Sequence, residues 1–292
     1  MKSLRPSFFI VGAPKAGTSA LHAFLTAHPE VCMSRIKEPN YFSHDLIAKQ
    51  KLYYESENVK TIKEYRDLFE CSDSAVIAGE ASVSYLFYPD IAKRIYEFDP
   101  VSKIIISLRQ PVSRAFSHYQ MDFSLGLVNY DFDTIIRNGA DHPLTGIYFQ
   151  QYVLLGDYAV QVQRYLEIFP QDQIFILLYE ELAGKPDNIL RDLCNFLGVN
   201  TDTKTSNLEK VNVTAAAKSS VIRKLYSSPA MRKFSNTLLS SGMKSRLREK
   251  LFSKESLPVL SPFAAKHLRQ RYQKDLVELQ KLTGKDFSYW QL

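Results

Sequence analysis

Lys15 is the first residue whose surroundings specify chemistry. It lies in Phe8-Phe-Ile-Val-Gly-Ala-Pro-Lys-Ala-Gly-Thr-Ser19, where an apolar run passes into a glycine loop and then into a helical pattern. A nucleoside-triphosphate loop reads G-x-x-x-x-G-K-[ST]. Here Gly12 and Gly17 keep the glycine spacing, Thr18 stands at the lysine position, and the lysine has moved inside the loop. The backbone N–H groups of Ala16, Gly17, Thr18 and Ser19, with the positive end of the following helix, make a cradle for an anion. A lysine three residues after the first glycine reaches the bridging oxygen between a 5′-phosphate and the group leaving it. That suits a nucleotide with a short activated tail better than ATP.

A second anion site follows another apolar run. Lys103-Ile-Ile-Ile-Ser-Leu-Arg109 reads as a buried parallel strand ending in an arginine, and Gln110-Pro111 then opens a helix. Val112, Phe116, Tyr119 and Phe123 form the apolar stripe of that helix, with Ser113 and Ser117 on another face. Arg109, as a fork of donors, and the Ser117 hydroxyl can hold a phosphate together. A magnesium-dependent ATPase would place an aspartate after its second strand. The third candidate is Glu80, at the end of the short apolar run Ala75-Val-Ile-Ala-Gly-Glu80. A carboxylate beside a phosphate cradle suits a general base that takes a proton from an incoming nucleophile.

These residues need a scaffold that brings strand ends to one edge, and the pattern predicts one. Apolar strands at 8–12, 75–80, 103–109 and 173–178 alternate with amphipathic helices, which describes an α/β fold: a P-loop-type, doubly wound sheet with a parallel core and helices on both faces. Ligands of such sheets bind at the carboxyl ends of the strands, where Lys15, Glu80 and Arg109 all fall. His28-Pro29 ends the first helix, Pro186 opens a later one that stops at Gly198, and Ser261-Pro262 caps a last helix ending before Gly284. The 292 residues are read as a single domain, with a basic lid-like segment at 201–260 and a C-terminal helix and tail at 261–292.

The chain resembles the sulfotransferases that use 3′-phosphoadenosine 5′-phosphosulfate (PAPS). Residues Gly12 to Ser19 resemble that family's 5′-phosphosulfate loop, and Leu108-Arg-Gln-Pro-Val-Ser-Arg-Ala-Phe-Ser-His-Tyr119 its 3′-phosphate segment. Lys37-Glu-Pro-Asn-Tyr-Phe42, Gly79-Glu-Ala-Ser-Val-Ser-Tyr85, Leu178-Tyr-Glu-Glu-Leu182, Leu268-Arg-Gln-Arg-Tyr272 and Gly284-Lys-Asp-Phe-Ser-Tyr-Trp290 extend the match over most of the chain. It is closest to the heparan sulfate sulfotransferase-like and bacterial branch, in which a glutamate is the usual base. The resemblance implies sulfuryl transfer from PAPS to an acceptor hydroxyl or amine by in-line displacement, leaving adenosine 3′,5′-bisphosphate. It assigns Glu80 as base, Lys15 to the leaving phosphate, Arg109 and Ser117 to the 3′-phosphate, and Lys218 and Arg223 to the segment covering the nucleotide. Heparan-modifying members follow the base glutamate with a lysine, where this chain has Ala81.

Composition fits that expectation. No apolar run approaches the ~20 residues of a membrane span, and Phe8 begins a core strand too early for a secretory leader. Cys32, Cys71 and Cys194 are few and widely spaced, as in reduced thiols of a cytoplasmic protein, and Asn212-Val-Thr214 is then an accidental sequon. No ligand spacing for a metal is present, so no metal is expected. The net charge of +6 is uneven: residues 201–292 carry 18 basic and 7 acidic side chains, and nine Lys or Arg fall between Lys218 and Lys250. Such a basic amphipathic stretch suits a lid, an anionic acceptor, a peripheral contact with an anionic surface, or a solvated helix face. The expected partner is a small-molecule, glycan or lipid acceptor, not nucleic acid. The alternatives are a P-loop small-molecule kinase, which would need a carboxylate to hold Mg²⁺, and a non-catalytic nucleotide-binding protein.

Overall fold

The computed structural model describes residues 2–54, 59–201, 216–217, 252–253 and 257–290. The chain divides into two compact units, one made of residues 1–111, 157–211 and 273–291, the other of 112–156 and 212–272.

The first unit carries the sheet. Its elements are β1 (Lys2–Ser3), β2 (Pro6–Gly12), α1 (Thr18–Ala27), β3 (Val31–Met33), α2 (His44–Gln50), α3 (Ile62–Arg66), β4 (Glu70–Cys71), β5 (Ile77–Ala81), α4 (Ile91–Phe98) and β6 (Lys103–Leu108). Five strands, β3, β5, β2, β6 and β7 (Ile174–Leu178), lie side by side in that order and every pairing is parallel. Because both faces are covered, the strands read as continuous apolar runs: Phe8, Phe9, Ile10 and Val11 are wholly buried, as are Ile104, Ile105 and Ile106. Phe8 and Ile10 point into a core shared with Leu21 and Leu25 of α1, and Phe9 points the other way, edge-on to Phe42 and to Phe98 of α4. Helices therefore cover both faces of a parallel sheet, as the sequence pattern predicts.

The second unit begins as α5 (Pro111–Ser124) leaves the sheet, and continues through α6 (Phe132–Ile136) and α7 (Thr145–Tyr152). Val112, Phe116 and Tyr119 of the expected stripe are buried, but Arg114, His118 and Asp122 are buried too. The Arg114 guanidinium satisfies the carbonyls of Gln151 and Tyr152, and Tyr152 donates to Asp122. Polar residues on a helix can thus be core residues when they close backbone hydrogen bonds, which periodicity alone does not reveal.

The chain returns to the first unit with α8 (Tyr158–Leu166), β7, α9 (Tyr179–Gly184) and α10 (Pro186–Leu197), and α11 (Pro262–Thr283) runs through the boundary between units. Local signals hold here. Gly198 takes φ +76° just past α10, Ala264 N–H donates to Ser261 Oγ at the start of α11, and Gly284 takes φ +66° after it.

One expectation is corrected. Cys32 and Cys71 form a disulfide, with their Cα atoms 5.4 Å apart, rather than remaining reduced thiols; Cys194 is the buried free cysteine. The 39-residue separation hides a pairing that β3 and β4 create in space. Among the described residues no helix is long and apolar enough to cross a membrane. The proposed nucleotide residues Lys218 and Arg223, the sequon at Asn212, and the basic stretch to Lys250 lie outside the described residues.

Candidate active site

The carboxyl ends of the strands carry four of the charged residues in spatial sequence. Glu38 follows β3, Glu80 lies in β5, Lys15 follows β2, and Arg109 follows β6. The change in strand order around β2 is the topological switch point at which such sheets bind ligands.

The loop from β2 to α1 is built by backbone. Gly17 caps α1 with φ +84°, and as a glycine it offers no side chain to the first helical N–H groups, which leaves them directed at whatever anion approaches. A Cβ on Gly17 would stand 2.9 Å from the Tyr179 ring, and one on Gly12 would stand 2.8 Å from Leu86 Cβ, so packing as well as φ demands glycine at both. Lys15 itself takes φ +66°, which an L side chain adopts only under constraint. The constraint is visible: Ala13 N–H donates to Ser107 O (2.6 Å), Ser107 Oγ to Ala16 O (2.5 Å), and Arg109 Nη1 to Lys15 O (3.1 Å). Strand β6 thereby holds both ends of the loop, and Thr18 and Ser19 open the helix behind it.

Arg109 is half-buried and fixed from several sides. Its guanidinium lies over the Tyr179 ring, 4.6 Å from the centroid, and its carbonyl accepts from Tyr158 Oη at 2.9 Å. The C-terminal tail secures the next residue: Glu180 accepts from Gln110 N–H and from Trp290 Nε1, and Gln110 Nε2 donates to Trp290 O. Tyr158 escapes sequence reasoning, and Tyr179 and Glu180 are marked there only as part of the stretch Leu178 to Leu182, because their roles arise through long-range contacts. Ser117 lies half-buried on α5 in the second unit, with Ser113 exposed on the same helix.

Glu80 lies near the carboxyl end of β5, as expected. Its carboxylate is wholly buried and accepts three hydroxyl hydrogen bonds, from Tyr65 and Tyr85 at Oε1 (2.8 Å each) and from Ser82 at Oε2 (2.6 Å). Burial pushes its pKa up to about 7 against the lowering effect of the three hydroxyls, and the charge of Glu38 adds to the rise. A general base must come within about 3 Å of the proton it takes. In this structure the Glu80 carboxylate is enclosed by its three hydroxyl donors.

Glu38 has what Glu80 lacks. Its side chain is 37% exposed and paired with Lys37. Its backbone takes φ +60°, followed by Asn40 at +52°, and the turn is pinned by Glu38 N–H to Ala81 O (2.9 Å) and Asn40 Nδ2 to Glu38 O (2.8 Å). A glutamate in the left-handed region is uncommon, and such strain concentrates at functional sites. Lys37 and Glu38 also stand near α1, because burial and then the Lys37 charge hold the His22 imidazole below its usual range while Glu38 opposes them. The signal in the sequence was the motif Lys37 to Phe42 itself, which contains a second acidic residue. Among the described residues no group of His, Cys, Asp and Glu is arranged to hold a metal ion.

Comparison with known proteins agrees with this architecture. The family described as sulfotransferase domain matches residues 5–255. The human bifunctional heparan sulfate N-deacetylase/N-sulfotransferase 2 is 32% identical over 200 residues, covering 66% of this chain and 22% of its own length. Mouse carbohydrate sulfotransferase 15 is 25% identical over 245 residues, covering 44% of its length. The chain therefore spans less than half the length of these curated relatives. The crystal structure of a sulfotransferase from Alicyclobacillus acidocaldarius superposes with a TM-score of 0.69 at 29% identity, covering 99% of this chain and all of that one.

Proposed function

The chain belongs to the sulfotransferase domain family, and from that premise we propose that it is a sulfotransferase that takes its sulfuryl group from PAPS, with Lys15 and Glu38 as the two groups that act on the reacting atoms. The observation that carries this is a shared strain: Lys15 and Glu38 are both non-glycine residues held at positive φ, +66° and +60°, just past the ends of strands β2 and β3. Backbone conformations that cost free energy and sit at the ligand edge of the sheet are what a preorganised site requires.

The residues fit the donor. The α1 N-terminus with Ala16, Gly17, Thr18 and Ser19 suits a 5′-phosphosulfate, and Arg109 suits a 3′-phosphate. Bound PAPS supplies a sulfuryl group whose departure leaves negative charge on the 5′-phosphate. Lys15 and the loop N–H groups stabilise that charge, which in sites of this kind is the largest single contribution to rate. Glu38 accepts the proton of the attacking hydroxyl or amine as the new bond to sulfur forms. Glu80, enclosed beneath it, does not touch the acceptor. The acceptor is a small molecule, glycan or lipid. The glycan-modifying activities for which the relatives are named support the glycan class, although Ala81 is buried and gives no cation where heparan-modifying members carry a lysine.

Calorimetric titration with adenosine 3′,5′-bisphosphate tests the donor, with ATP plus magnesium in parallel. Tight binding of the bisphosphate without metal is expected. A preference for ATP with magnesium would overturn the donor assignment and restore the kinase alternative.

A further inference from the structure

Below the loop that carries Glu38 lies a hydrogen-bond relay with a single direction. Tyr65, Tyr85 and Ser82 each donate to the Glu80 carboxylate. A hydroxyl has one proton, so each of them, having given it to Glu80, can only accept from any further partner. Two of them do so from the loop: Asn40 N–H donates to Ser82 Oγ (3.1 Å), and Phe42 N–H donates to Tyr85 Oη (3.2 Å). The flow of donors runs from loop amide to hydroxyl to carboxylate on both branches. The rings follow the same scaffold, with Tyr41 stacked on Tyr65 at 4.5 Å and Phe42 edge-on to both Tyr65 and Tyr85.

We infer that Glu80 is the positioning residue of this reaction: as an acceptor-only carboxylate it orients Ser82 and Tyr85 to receive the amides of Asn40 and Phe42, and so fixes the strained turn that presents Glu38. The inference deepens the proposed function and rests on Glu38 being the base. Among the described residues no other ionisable group provides the acceptor at the centre of this network; the groups facing it are the phenols of Tyr65 and Tyr85, the Ser82 hydroxyl and, through space, the Glu38 carboxylate. A glutamine in place of Glu80 keeps the size but not the polarity. Its oxygen can satisfy the two tyrosines only by turning its NH₂ toward Ser82. The Ser82 proton is then expelled from its acceptor and points back toward the Asn40 N–H, donor against donor.

Hydrogen exchange across residues 36–44 tests this without needing an acceptor. In Glu80→Gln the amide of Asn40 should exchange at least ~10-fold faster, while the amide of Phe42, the amides of α10 and the affinity for adenosine 3′,5′-bisphosphate stay closer to the native protein. Ser82→Ala should release Asn40 alone and Tyr85→Phe should release Phe42 alone, which keeps the test decisive even if Glu80→Gln does not fold. Unchanged exchange at Asn40 in Ser82→Ala, or faster exchange spread evenly over the whole fold, overturns the inference. Turnover of PAPS with N-desulfated heparan as the acceptor probe separates it from the reading beneath it. A residue acting through Glu38 gives non-additive losses in the Glu38→Gln/Glu80→Gln pair. Multiplying losses count against the inference, and full activity in Glu38→Gln with a large loss in Glu80→Gln returns the base role to Glu80.

Discussion

The two sides of the candidate site are made of different materials. The anion side, residues 12–19 with Arg109, is held by backbone: glycine conformations, carbonyls tied to Ser107 and Arg109, and the first turn of α1. The proton side, residues 37–43 above 80–85, is held by side chains, in a network of hydroxyls converging on one buried carboxylate. The difference follows from the tasks. A phosphate needs many fixed donors whose state is independent of pH, and peptide N–H groups and an arginine supply them. A base must change protonation during each turnover, so it is set on a support that can itself respond to charge. The anion side should therefore fail through geometry, and the proton side through titration and hydrogen-bond direction.

The largest effect expected from this contrast is that of Glu38→Gln. Removing a general base typically lowers turnover by about 10²- to 10⁴-fold, while the affinity for adenosine 3′,5′-bisphosphate should stay unchanged because no part of the anion side depends on Glu38. Steady-state rates at saturating PAPS, set beside calorimetry of the same variant, check both halves. A variant that loses the bisphosphate as well would erase the distinction between the two sides.

Arg109→Ala probes the anion side and should act more modestly. A hydrogen bond to a charged group contributes roughly 1.5–3 kcal/mol, which corresponds to about 10- to 150-fold in affinity. The loss should appear for the 3′,5′-bisphosphate and be much smaller for the 5′-monophosphate, if Arg109 reads the 3′ group. Because Arg109 also donates to the Lys15 carbonyl, the comparison has a sharp alternative. Equal losses for the two nucleotides would mean that the arginine serves only to brace the loop.

The same contrast explains what the sequence disclosed. The cradle was legible because its determinants are local: Gly12, Lys15, Gly17 and the apolar run before them lie within a dozen residues, and each has a conformational meaning on its own. The parallel sheet was legible for a like reason, since buried strands are nearly uniform in hydrophobicity. The proton side was not. Glu38 and Glu80 each sit in a short motif after or within an apolar stretch, and nothing local says which is enclosed. Burial of Glu80 is decided by Tyr65, 15 residues away, and by Asn40 and Phe42, about 40 residues away, through contacts that exist only in the fold. Cys32 and Cys71 are hidden in the same way, and so is the bracing of Gln110 by Trp290 at the far end of the chain.

The smallest expected effect is the most specific to the proton side, because it has opposite signs in stability and activity. Glu80 has a pKa raised from 4.5 to about 7 in the folded protein, chiefly by desolvation, with Tyr65, Tyr85, Ser82 and the nearby Glu38 as the groups that face it. A carboxyl group with a raised folded pKa binds its proton more tightly in the native state. Its contribution to stability is fully present below pH 4.5 and is lost as pH rises through about 7, amounting to on the order of 3 kcal/mol at most. Over the same window the ionised form is the one that draws the hydroxyl protons toward it and holds Asn40 and Phe42. Turnover should therefore rise with pH while this part of the stability falls. The difference in melting temperature between the native protein and Glu80→Gln, followed from pH 4.5 to 8, isolates the group from all other titrations. The native protein should lose ground to the variant as pH increases. A flat difference would mean that folding leaves the Glu80 pKa where it is in the unfolded chain, and one that favours the native protein increasingly at high pH would mean that the ionised carboxylate is stabilising. The support beneath Glu38 would then be an ordinary hydrogen-bonded core, as unresponsive to pH as the anion side.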